Sequence, residues 1–455
     1  MIEKINFNQV KRVSKKIINS DNLKKVQDVI LKNSRNNNSI DRFDFSSPKI
    51  LDFQEANLKL KLLNISLKTQ KFDNSEIPTD DNGKCSKLNP NLVAINLDKV
   101  REMGIDGKDV VVAVVDSGII YNHPDIERDR IIFYKDFSGE SNEDNPKDLL
   151  GHGTHVASLI GGTGKMSKGY NQGISPGVKF VILRITSVSE IIKALEWIKD
   201  NGKKYNIKVV NLSLGVDPKT GYLQDAIASI ANELAKDYTV VAAAGNDYAN
   251  ETIDSPGIAP NVITVGGIDT KNTCPISDDT IYDASSKGPT PFDLLDKPDV
   301  VAPAKKLAGA RVPGSVFDPY KADKSLLQKD KITSYQYYPS NNSNNSNGTL
   351  KFLATQDDNW NGNYYITLSG TSGATAIVSG IASLIYQVLP NATPKLVKEI
   401  IMKTAKKMKD PSINQEYDKY TQGAGLVDAF AAVKYALALK DKQDNNQYTN
   451  QIATA

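Results

Sequence analysis

The hydrophobic pattern of the chain changes near residue 90. Beyond this point, short apolar runs alternate with stretches in which apolar residues recur every three or four positions. Such runs predict strands buried on both faces, and the stretches between them predict helices. Because strand and helix alternate, we expect right-handed crossovers and an α/β fold with a mostly parallel central sheet and helices on both faces. The predicted strands are residues 110–115, 178–183, 209–214, 240–244 and 262–265, and the predicted helices include 190–199, 223–236 and one that Thr393 and Pro394 open.

Three polar segments fall outside this pattern. Residues 1–85 are rich in lysine and asparagine and predict a small N-terminal extension, joined to the rest by a linker at 73–90. Residues 305–363 contain the tract SNNSNNSNGT and predict a surface insertion, either a solvent-exposed loop or a segment that gates access. Residues 441–455 predict a polar C-terminal tail, which leaves 86–440 as the main domain.

The composition is that of an ordinary globular protein, with 40% hydrophobic and 24% charged residues. A net charge of +3 gives no reason to expect a nucleic-acid or membrane partner. Residues 1–30 lack the apolar region of a signal peptide, so we expect a cytoplasmic protein, or a secreted one if a leader was removed. Cys85 and Cys274 exclude a disulfide framework and leave one isolated bridge open.

Three short glycine-flanked strings supply a carboxylate, an imidazole and a hydroxyl. Asp116 ends a predicted strand, at the edge where open parallel sheets bind their ligands. His152, in GHGTH, stands at the start of a predicted helix. Ser372, in SGTSGATA, precedes another helix, whose unpaired N–H groups favour a developing oxyanion. Each string alone fits equally well with a turn cap, a packed histidine or an ordinary helix start.

A metal site is the competing interpretation of the histidines. His152 and His155 stand three residues apart, as a pair of zinc ligands does. His123 is the remaining histidine and no cysteine cluster accompanies it, so a zinc site is short of ligands. We therefore predict no metal, and we expect His155 and His123 to be packed, hydrogen-bonded residues.

Together, these strings resemble the subtilisin-like serine proteases, the subtilase family. Asp-Ser-Gly, His-Gly-Thr-His and Gly-Thr-Ser occur in the family's order of Asp, His and Ser, which differs from that of other enzymes with the same triad. Similar strings also occur at residues 122–125, 211–215, 242–246, 297–303 and 423–425. The resemblance covers roughly residues 90–435.

The resemblance implies specific roles for these residues. Ser372 would be the nucleophile, His152 the general base, and Asp116 the group that orients the imidazole. Asn246 would donate its amide to the oxyanion. Two segments would bind an extended polypeptide substrate by adding a strand to the sheet edge. These substrate-binding residues are Ser213, Leu214, Gly215, Ala243, Ala244 and Gly245.

The sequence departs from the family at three places. Gly373 follows Ser372 where the family usually has methionine, which predicts an empty packing position behind the nucleophile. Residues 161–176 lack the calcium-binding loop of many relatives; Asp125 alone matches a ligand, so no cofactor is required and calcium is left open. Residues 1–85 occupy the place of a self-inhibiting propeptide, with a junction near 85–91; an uncleaved regulatory module is the alternative.

These observations predict a serine endopeptidase that works through an Asp-His-Ser triad and an acyl-enzyme, in intracellular protein or peptide processing or maturation. Two alternatives are a pseudoprotease that binds without turnover and a serine hydrolase or transferase acting on a non-peptide acyl substrate. The intact set of Asp116, His152, Ser372 and Asn246 argues against the first. The predicted peptide-binding segments argue against the second.

Overall fold

The computed structural model describes residues 70–71, 89–273, 276–319 and 363–453, with side chains up to residue 444. Within these residues, the strands β1 to β13 are Gln70–Lys71, Val111–Asp116, Ile131–Asp136, Lys179–Arg184, Ile207–Leu212, Thr239–Ala243, Ile263–Asp269, Thr280–Ile281, Val300–Pro303, Leu307–Ala310, Tyr365–Leu368, Lys409–Asp410 and Gln415–Glu416. The helices α1 to α9 are Pro90–Val93, Leu97–Glu102, His152–Gly161, Val188–Asn201, Ala226–Leu234, Thr371–Val388, Pro394–Thr404, Lys419–Gln422 and Ala429–Ala453.

An eight-stranded sheet forms the centre of the described residues. The strands β3, β4, β2, β5, β6, β7 and β9 lie side by side in that order and are all parallel, and the short β8 pairs antiparallel with β7. The predicted strands of the main domain match β2, β4, β5, β6 and β7 within a few residues. The mostly parallel α/β architecture is therefore confirmed.

Helices cover both faces of this sheet because both faces are apolar. Along β2, Val112 and Val114 face one hydrophobic cluster while Val111, Ala113 and Val115 face the other, so every residue of the strand is buried. The first cluster includes residues of α3 and α6, and the second includes residues of α4 and α5. This double coverage explains why the strands appear in the sequence as continuous apolar runs.

The helix starts follow from local sequence. Ser187 and Glu190 form a reciprocal capping box at the start of α4, which stabilises the helix that we predicted at 190–199. Thr393 caps α7 through a hydrogen bond from the Leu396 N–H at 3.2 Å, and Pro394 occupies the first helical position. The helix α7 therefore begins where its cap predicts, and α4 begins two residues before the predicted start at residue 190.

The predicted insertion at 305–363 has a buried first part. The strand β10 lies within it, and β10 pairs antiparallel with β11 just after it. Gln70–Lys71 adds a third strand on the other side of β11. Arg311 and Asp318 form a buried ion pair, with Arg311 Nε 2.8 Å from the carboxylate. The surface character predicted for 305–363 therefore does not hold for residues 307–319, which are buried or half-buried, whereas Lys306 is exposed. Residues 320–362 lie outside the described residues.

Other predicted segments are covered only in part. The predicted tail at 441–455 continues α9 as far as Ala453, and its residues 441–444 are exposed. Apart from Gln70 and Lys71, the predicted extension at 1–85 lies outside the described residues, as do Cys85 and Cys274. One described helix, α6, is long and apolar enough to cross a membrane by composition, but it is 94% buried in the core.

Candidate active site

Asp116 and His152 meet where β2 ends and α3 begins. His152 is the first residue of α3, and its Nδ1 lies 2.7 Å from Asp116 Oδ1. Both side chains are buried, with 5% of Asp116 and 1% of His152 exposed. Gly153 makes this close approach possible, because a β-carbon there would overlap the carbonyl oxygen of Gly118, in the turn that follows Asp116. The structure therefore brings together Asp116 and His152, two of the three residues of the predicted triad.

The imidazole of His152 is arranged to accept a proton. Its Nδ1–H donates to the carboxylate, and Nε2 is buried and has no hydrogen-bond partner among the described residues. Burial of the ring lowers the pKa of His152, but the charge and hydrogen bond of Asp116, with a contribution from Asp148, outweigh it and raise the pKa above 6.5. An imidazole oriented in this way can act as a general base once it is deprotonated.

Asp148 is a second buried carboxylate at the start of α3, and the sequence analysis did not find it. Its Oδ1 accepts hydrogen bonds from Ser117 Oγ at 2.7 Å and from Gly151 N at 2.8 Å. Its Oδ2 accepts from Thr154 N at 2.8 Å and from Thr154 Oγ1 at 2.7 Å. Asp148 therefore ties the turn after Asp116 to the first turn of the histidine helix. Its position four residues before His152 was the available sequence signal.

The backbone of Ser372 is held by a buried chain of polar side chains. Ser372 is the second residue of α6 and is 6% exposed. Ser213 Oγ donates to the carbonyl oxygen of Ser372 at 2.8 Å. Asn211 Nδ2 donates to Ser213 Oγ at 2.9 Å, and Ser379 Oγ donates to Asn211 Oδ1 at 2.8 Å. These bonds fix the predicted nucleophile relative to the end of β5.

Asn246 and Ser372 border the same small space. The carbonyl oxygen of the Asn246 side chain accepts hydrogen bonds from Thr371 N at 2.9 Å and Thr371 Oγ1 at 3.3 Å, which leaves Nδ2 as the donor. A β-carbon added at Gly370 would lie 3.3 Å from Ser372 Oγ and 3.6 Å from Asn246 Nδ2. The missing side chain at Gly370 therefore keeps open the space between the predicted nucleophile and the predicted oxyanion donor.

The space behind the predicted nucleophile is filled by a side chain from β10. A β-carbon at Gly373 would overlap Cδ1 of Leu307, a buried residue of β10, and would lie 3.4 Å from Leu159 Cδ1. Leu307 therefore occupies the space that a larger side chain at residue 373 would need. The empty position that we predicted does not exist, because a residue more than sixty positions earlier fills it.

The two predicted substrate-binding segments extend from neighbouring strands. Residues 213–215 follow directly after the end of β5. Residues 243–245 comprise the last residue of β6 and the two residues after it, and β6 pairs in parallel with β5. Among the described residues, no backbone-to-backbone hydrogen bond of a turn or loop involves residues 213–215. The segments are buried throughout: Ser213, Leu214, Gly215, Ala243, Ala244 and Gly245.

His123 and His155 each bind a backbone carbonyl. His123 Nε2 lies 2.8 Å from the carbonyl oxygen of Tyr364, and His155 Nε2 lies 3.1 Å from that of Leu307. Burial and the neighbouring His152 lower the pKa of His155 to about 3, so its ring is neutral. Each of these contacts is made by the Nε2 atom of its ring, as expected for packed, hydrogen-bonded histidines.

Two acidic sites are relevant to cation binding. The carboxylate of Asp125 is buried and accepts hydrogen bonds from the Tyr365 hydroxyl and from Met166 N. Among the described residues, one group of three carboxylates is close enough to hold a cation between its members: Asp217, Asp247 and Asp254, whose oxygens lie within 4.8 Å of one another. The sequence analysis did not single out these three residues.

Comparisons with known proteins identify the family of this chain. Residues 107–425 match the model of the subtilase family, and the chain belongs to that family. The chain is 33% identical over 338 residues to the serine protease AprX of Bacillus subtilis (strain 168), a match that covers 71% of this chain and 66% of the relative. The resemblance inferred from the motifs is thereby confirmed.

Two other relatives illustrate the range of the family. The chain is 31% identical over 205 residues to the major intracellular serine protease of Bacillus subtilis (strain 168), covering 42% of this chain and 62% of the relative. It is 27% identical over 357 residues to the nisin leader peptide-processing serine protease NisP of Lactococcus lactis subsp. lactis, covering 68% and 44%. In each case the chain spans less than about two thirds of the relative's own length.

Proposed function

We propose that the protein is a serine endopeptidase that hydrolyses peptide bonds through an acyl-enzyme. The observation that carries this proposal is the buried Asp116–His152 pair, whose Nε2 has no hydrogen-bond partner among the described residues. A buried polar atom without a partner is costly unless a substrate or a reacting group uses it. The anchoring of Ser372 beside the Asn246 amide supplies the nucleophile and an electrostatic site for the transition state.

The proposed reaction uses these groups in sequence. His152 Nε2 takes the hydroxyl proton of Ser372 as Oγ attacks the scissile carbonyl carbon. The carbonyl oxygen becomes an oxyanion and accepts hydrogen bonds from Asn246 Nδ2 and from the Ser372 N–H, which lacks a helical partner in the first turn of α6. The intermediate collapses to the acyl-enzyme, and His152 passes its proton to the departing amine. A water molecule, deprotonated by His152, then releases the acid and regenerates Ser372.

The proposed substrate is an extended polypeptide. The backbone of 213–215, which makes no turn or loop backbone hydrogen bond among the described residues, and the small side chains of 243–245 favour main-chain pairing with a peptide strand. The segment 213–215 is tied to Ser372 through Ser213 Oγ, so a strand bound there is in register with the nucleophile. The arrangement favours a peptidase over a hydrolase of small acyl esters.

Labelling with a fluorophosphonate probe tests the proposal. We expect Ser372 of the native chain to be labelled and a casein or peptide substrate to be cleaved, and we expect the Ser372→Ala variant to show neither. Labelling without peptide cleavage would identify a hydrolase of other acyl groups. Absence of both, after residues 1–85 have been removed, would identify a protein that binds without turnover and would contradict the proposal.

We further propose that residues 1–85 inhibit the enzyme in cis and that the protein acts in intracellular processing or maturation. The pairing of Gln70–Lys71 with β11, which ends four residues before Ser372, supports docking of this extension beside the site. Mass spectrometry of the active protein tests this: we expect cleavage near 85–91, and a separately added peptide of residues 1–85 should inhibit. A fully active, full-length chain would contradict it.

The proposed chemistry uses protein groups alone, so no cofactor is needed. We expect EDTA to leave the turnover of a peptide substrate unchanged. Loss of activity in EDTA that calcium restores would contradict this expectation.

A further inference from the structure

The ring of Phe317 packs against the imidazole of His152. The two ring centres lie 6.2 Å apart and the ring planes meet at 85°, which is the edge-to-face arrangement that aromatic pairs favour. Phe317 is 2% exposed and belongs to a small hydrophobic cluster with Ile366 and Leu368 of β11. A buried aromatic ring therefore adjoins the predicted general base, and it comes from the first part of the 305–363 segment.

The backbone at Phe317 is bonded to the residues that precede the histidine helix. The N–H of Phe317 donates to the carbonyl oxygen of Leu150 at 3.1 Å. The N–H of Val316 donates in the same way to Leu149 at 2.9 Å. These bonds end one residue before Gly151, which caps the helix α3. The position of Phe317 is thus fixed relative to the start of the helix.

A buried ion pair closes the loop of residues 311–318, which carries Phe317. Arg311 Nε lies 2.8 Å from Asp318 Oδ1, and Arg311 Nη2 lies 3.0 Å from Oδ2 of the same carboxylate, so the pair is bidentate. Arg311 is 4% exposed and Asp318 is 3% exposed. The N–H of Gly314 also donates to Asp318 Oδ2, at 2.7 Å. The two ends of this loop are therefore held together by charge and by hydrogen bonds.

The hydrogen bond to Asp116 leaves one rotation of the His152 ring unrestrained. It places Nδ1 at 2.7 Å from the carboxylate, but the ring can still turn about that contact. Such a turn moves Nε2, which has no hydrogen-bond partner among the described residues. A ring packed at 85° against the imidazole opposes the turn, because in a close-packed interior a tilt brings atoms into overlap. Since a small misplacement of a reacting group costs much of the rate, this restraint bears on proton transfer.

We infer that Phe317 is a positioning residue for His152 and that the Arg311–Asp318 ion pair holds it in place. The inference rests on the proposed endopeptidase function and adds a part of the chain to the support of its site. Phe317 acts through the orientation of the imidazole, so its loss lowers kcat and leaves KM unchanged. A side chain that only fills the hydrophobic cluster beside β11 would affect stability and not kcat.

The Phe317→Leu variant of the full chain tests the inference, because leucine keeps a buried apolar side chain and removes the ring. We expect kcat for a peptide substrate to fall about 10-fold with KM unchanged, which is the upper range of what an aromatic pair contributes. The rate of fluorophosphonate labelling at Ser372 should fall by the same factor, since labelling uses the same proton transfer. Native kcat and a native labelling rate in this variant would overturn the inference.

Phe180→Leu is the matched control. Phe180 is a phenylalanine of β4 that is 1% exposed, and a β-carbon added at Gly161, the last residue of α3, would lie 3.0 Å from its Cζ. It therefore lies at the opposite end of the helix from His152. Both leucine variants should lose a similar free energy of unfolding, measured by urea titration in a Ser372→Ala background, but Phe180→Leu should keep the native kcat. Equal losses of kcat in Phe180→Leu and Phe317→Leu would show a general effect of core packing and would overturn the inference.

A double variant tests the part assigned to the ion pair. Asp318→Asn removes the negative charge and keeps the size of the side chain. We expect it to lower kcat about fivefold in the native chain and by less than about twofold in Phe317→Leu, because the ion pair acts through the ring. Equal fivefold losses in both backgrounds would show that the ion pair and the ring act independently, which would contradict the inferred coupling.

Fluorophosphonate labelling of the native chain separates this inference from the proposed function. A native chain that is neither labelled at Ser372 nor able to cleave a peptide would contradict the proposed function. A native chain that does both, together with Phe317→Leu labelled at the native rate, would overturn the inference and leave the proposed function standing.

Discussion

Replacing Asp148 by asparagine tests how the histidine helix is held against the Asp116 turn. The native carboxylate accepts four hydrogen bonds, two at each oxygen, from Ser117, Gly151 and Thr154. An asparagine keeps one accepting oxygen and replaces the other with an NH2 group. Hydroxyl groups can rotate to accept from that group, but a backbone N–H cannot. The variant therefore leaves the N–H of either Gly151 or Thr154 buried without an acceptor.

The loss of free energy follows from these contacts. An unsatisfied buried N–H costs about 1–3 kcal/mol, and a hydrogen bond to a charged acceptor contributes about 1.5–3 kcal/mol. We therefore expect Asp148→Asn to lower the free energy of unfolding by about 3 kcal/mol, measured by urea titration in a Ser372→Ala background that prevents self-digestion. Asp200→Asn, an exposed change of the same kind, should stay within about 0.5 kcal/mol.

The same variant has a separate effect on catalysis. The negative charge of Asp148 contributes to the raised pKa of His152, so its removal lowers that pKa. A general base with a lower pKa is deprotonated at lower pH, and we expect the acidic limb of the kcat/KM profile to move to lower pH. A change in stability of less than about 0.5 kcal/mol, together with an unmoved acidic limb, would refute the role assigned to Asp148.

Three further predictions concern the reacting groups. In the native enzyme, the acidic limb of kcat/KM should have its midpoint above pH 6.5, because the pKa of His152 is raised; a midpoint below 6.5 would contradict this. Asn246→Ala should lower kcat about 100- to 1,000-fold with little change in KM, as measured by steady-state kinetics. A rise in KM as large as the fall in kcat would argue against an oxyanion role. Gly370→Ala should fold normally, because the backbone at Gly370 is extended and accepts any residue. It should lower kcat by a similar factor, because the added methyl group enters the space beside Ser372 Oγ. Wild-type turnover of this variant would show that this space is not used in the reaction.

Local sequence patterns predicted the part of the fold that depends on burial alone. The strands β2, β4, β5, β6 and β7 are buried on both faces, so each contains a short run rich in apolar residues that can be read without knowledge of its neighbours. In contrast, β3 has a mixed burial pattern, and the first part of 305–363 is buried only because β10 pairs with a strand after that segment. Pairing at long range carries no local periodicity, which explains why these strands were missed.

The residues of the candidate site also fall into those that local sequence indicates and those that depend on long-range contacts. Asp116, His152, Ser372 and Asn246 could be singled out as candidates because each lies in a recognisable string at a strand or helix end. The residues that position them act across the chain: Asp148 joins two turns, and Ser213 binds the Ser372 carbonyl from a sequence distance of 159 residues. Which side chains make such contacts depends on the assembled fold, and the composition of a string does not encode it.

Gly373 shows how this limit changes an interpretation. From the sequence alone, a glycine beside the nucleophile in place of methionine predicts a missing contact and a less firmly supported serine. In the structure, Leu307 Cδ1 occupies that space. The backbone carbonyl oxygen of the same residue lies 3.1 Å from Nε2 of His155, which belongs to the histidine helix α3. A small residue at 373 is therefore required by the position of β10, which packs against the helix that carries His152 and places Leu307 against Gly373. One packing arrangement explains both the glycine at position 373, where the family usually has methionine, and the burial of the first part of the 305–363 segment. In this arrangement, Leu307 of β10 fills the space that the methionine side chain would occupy.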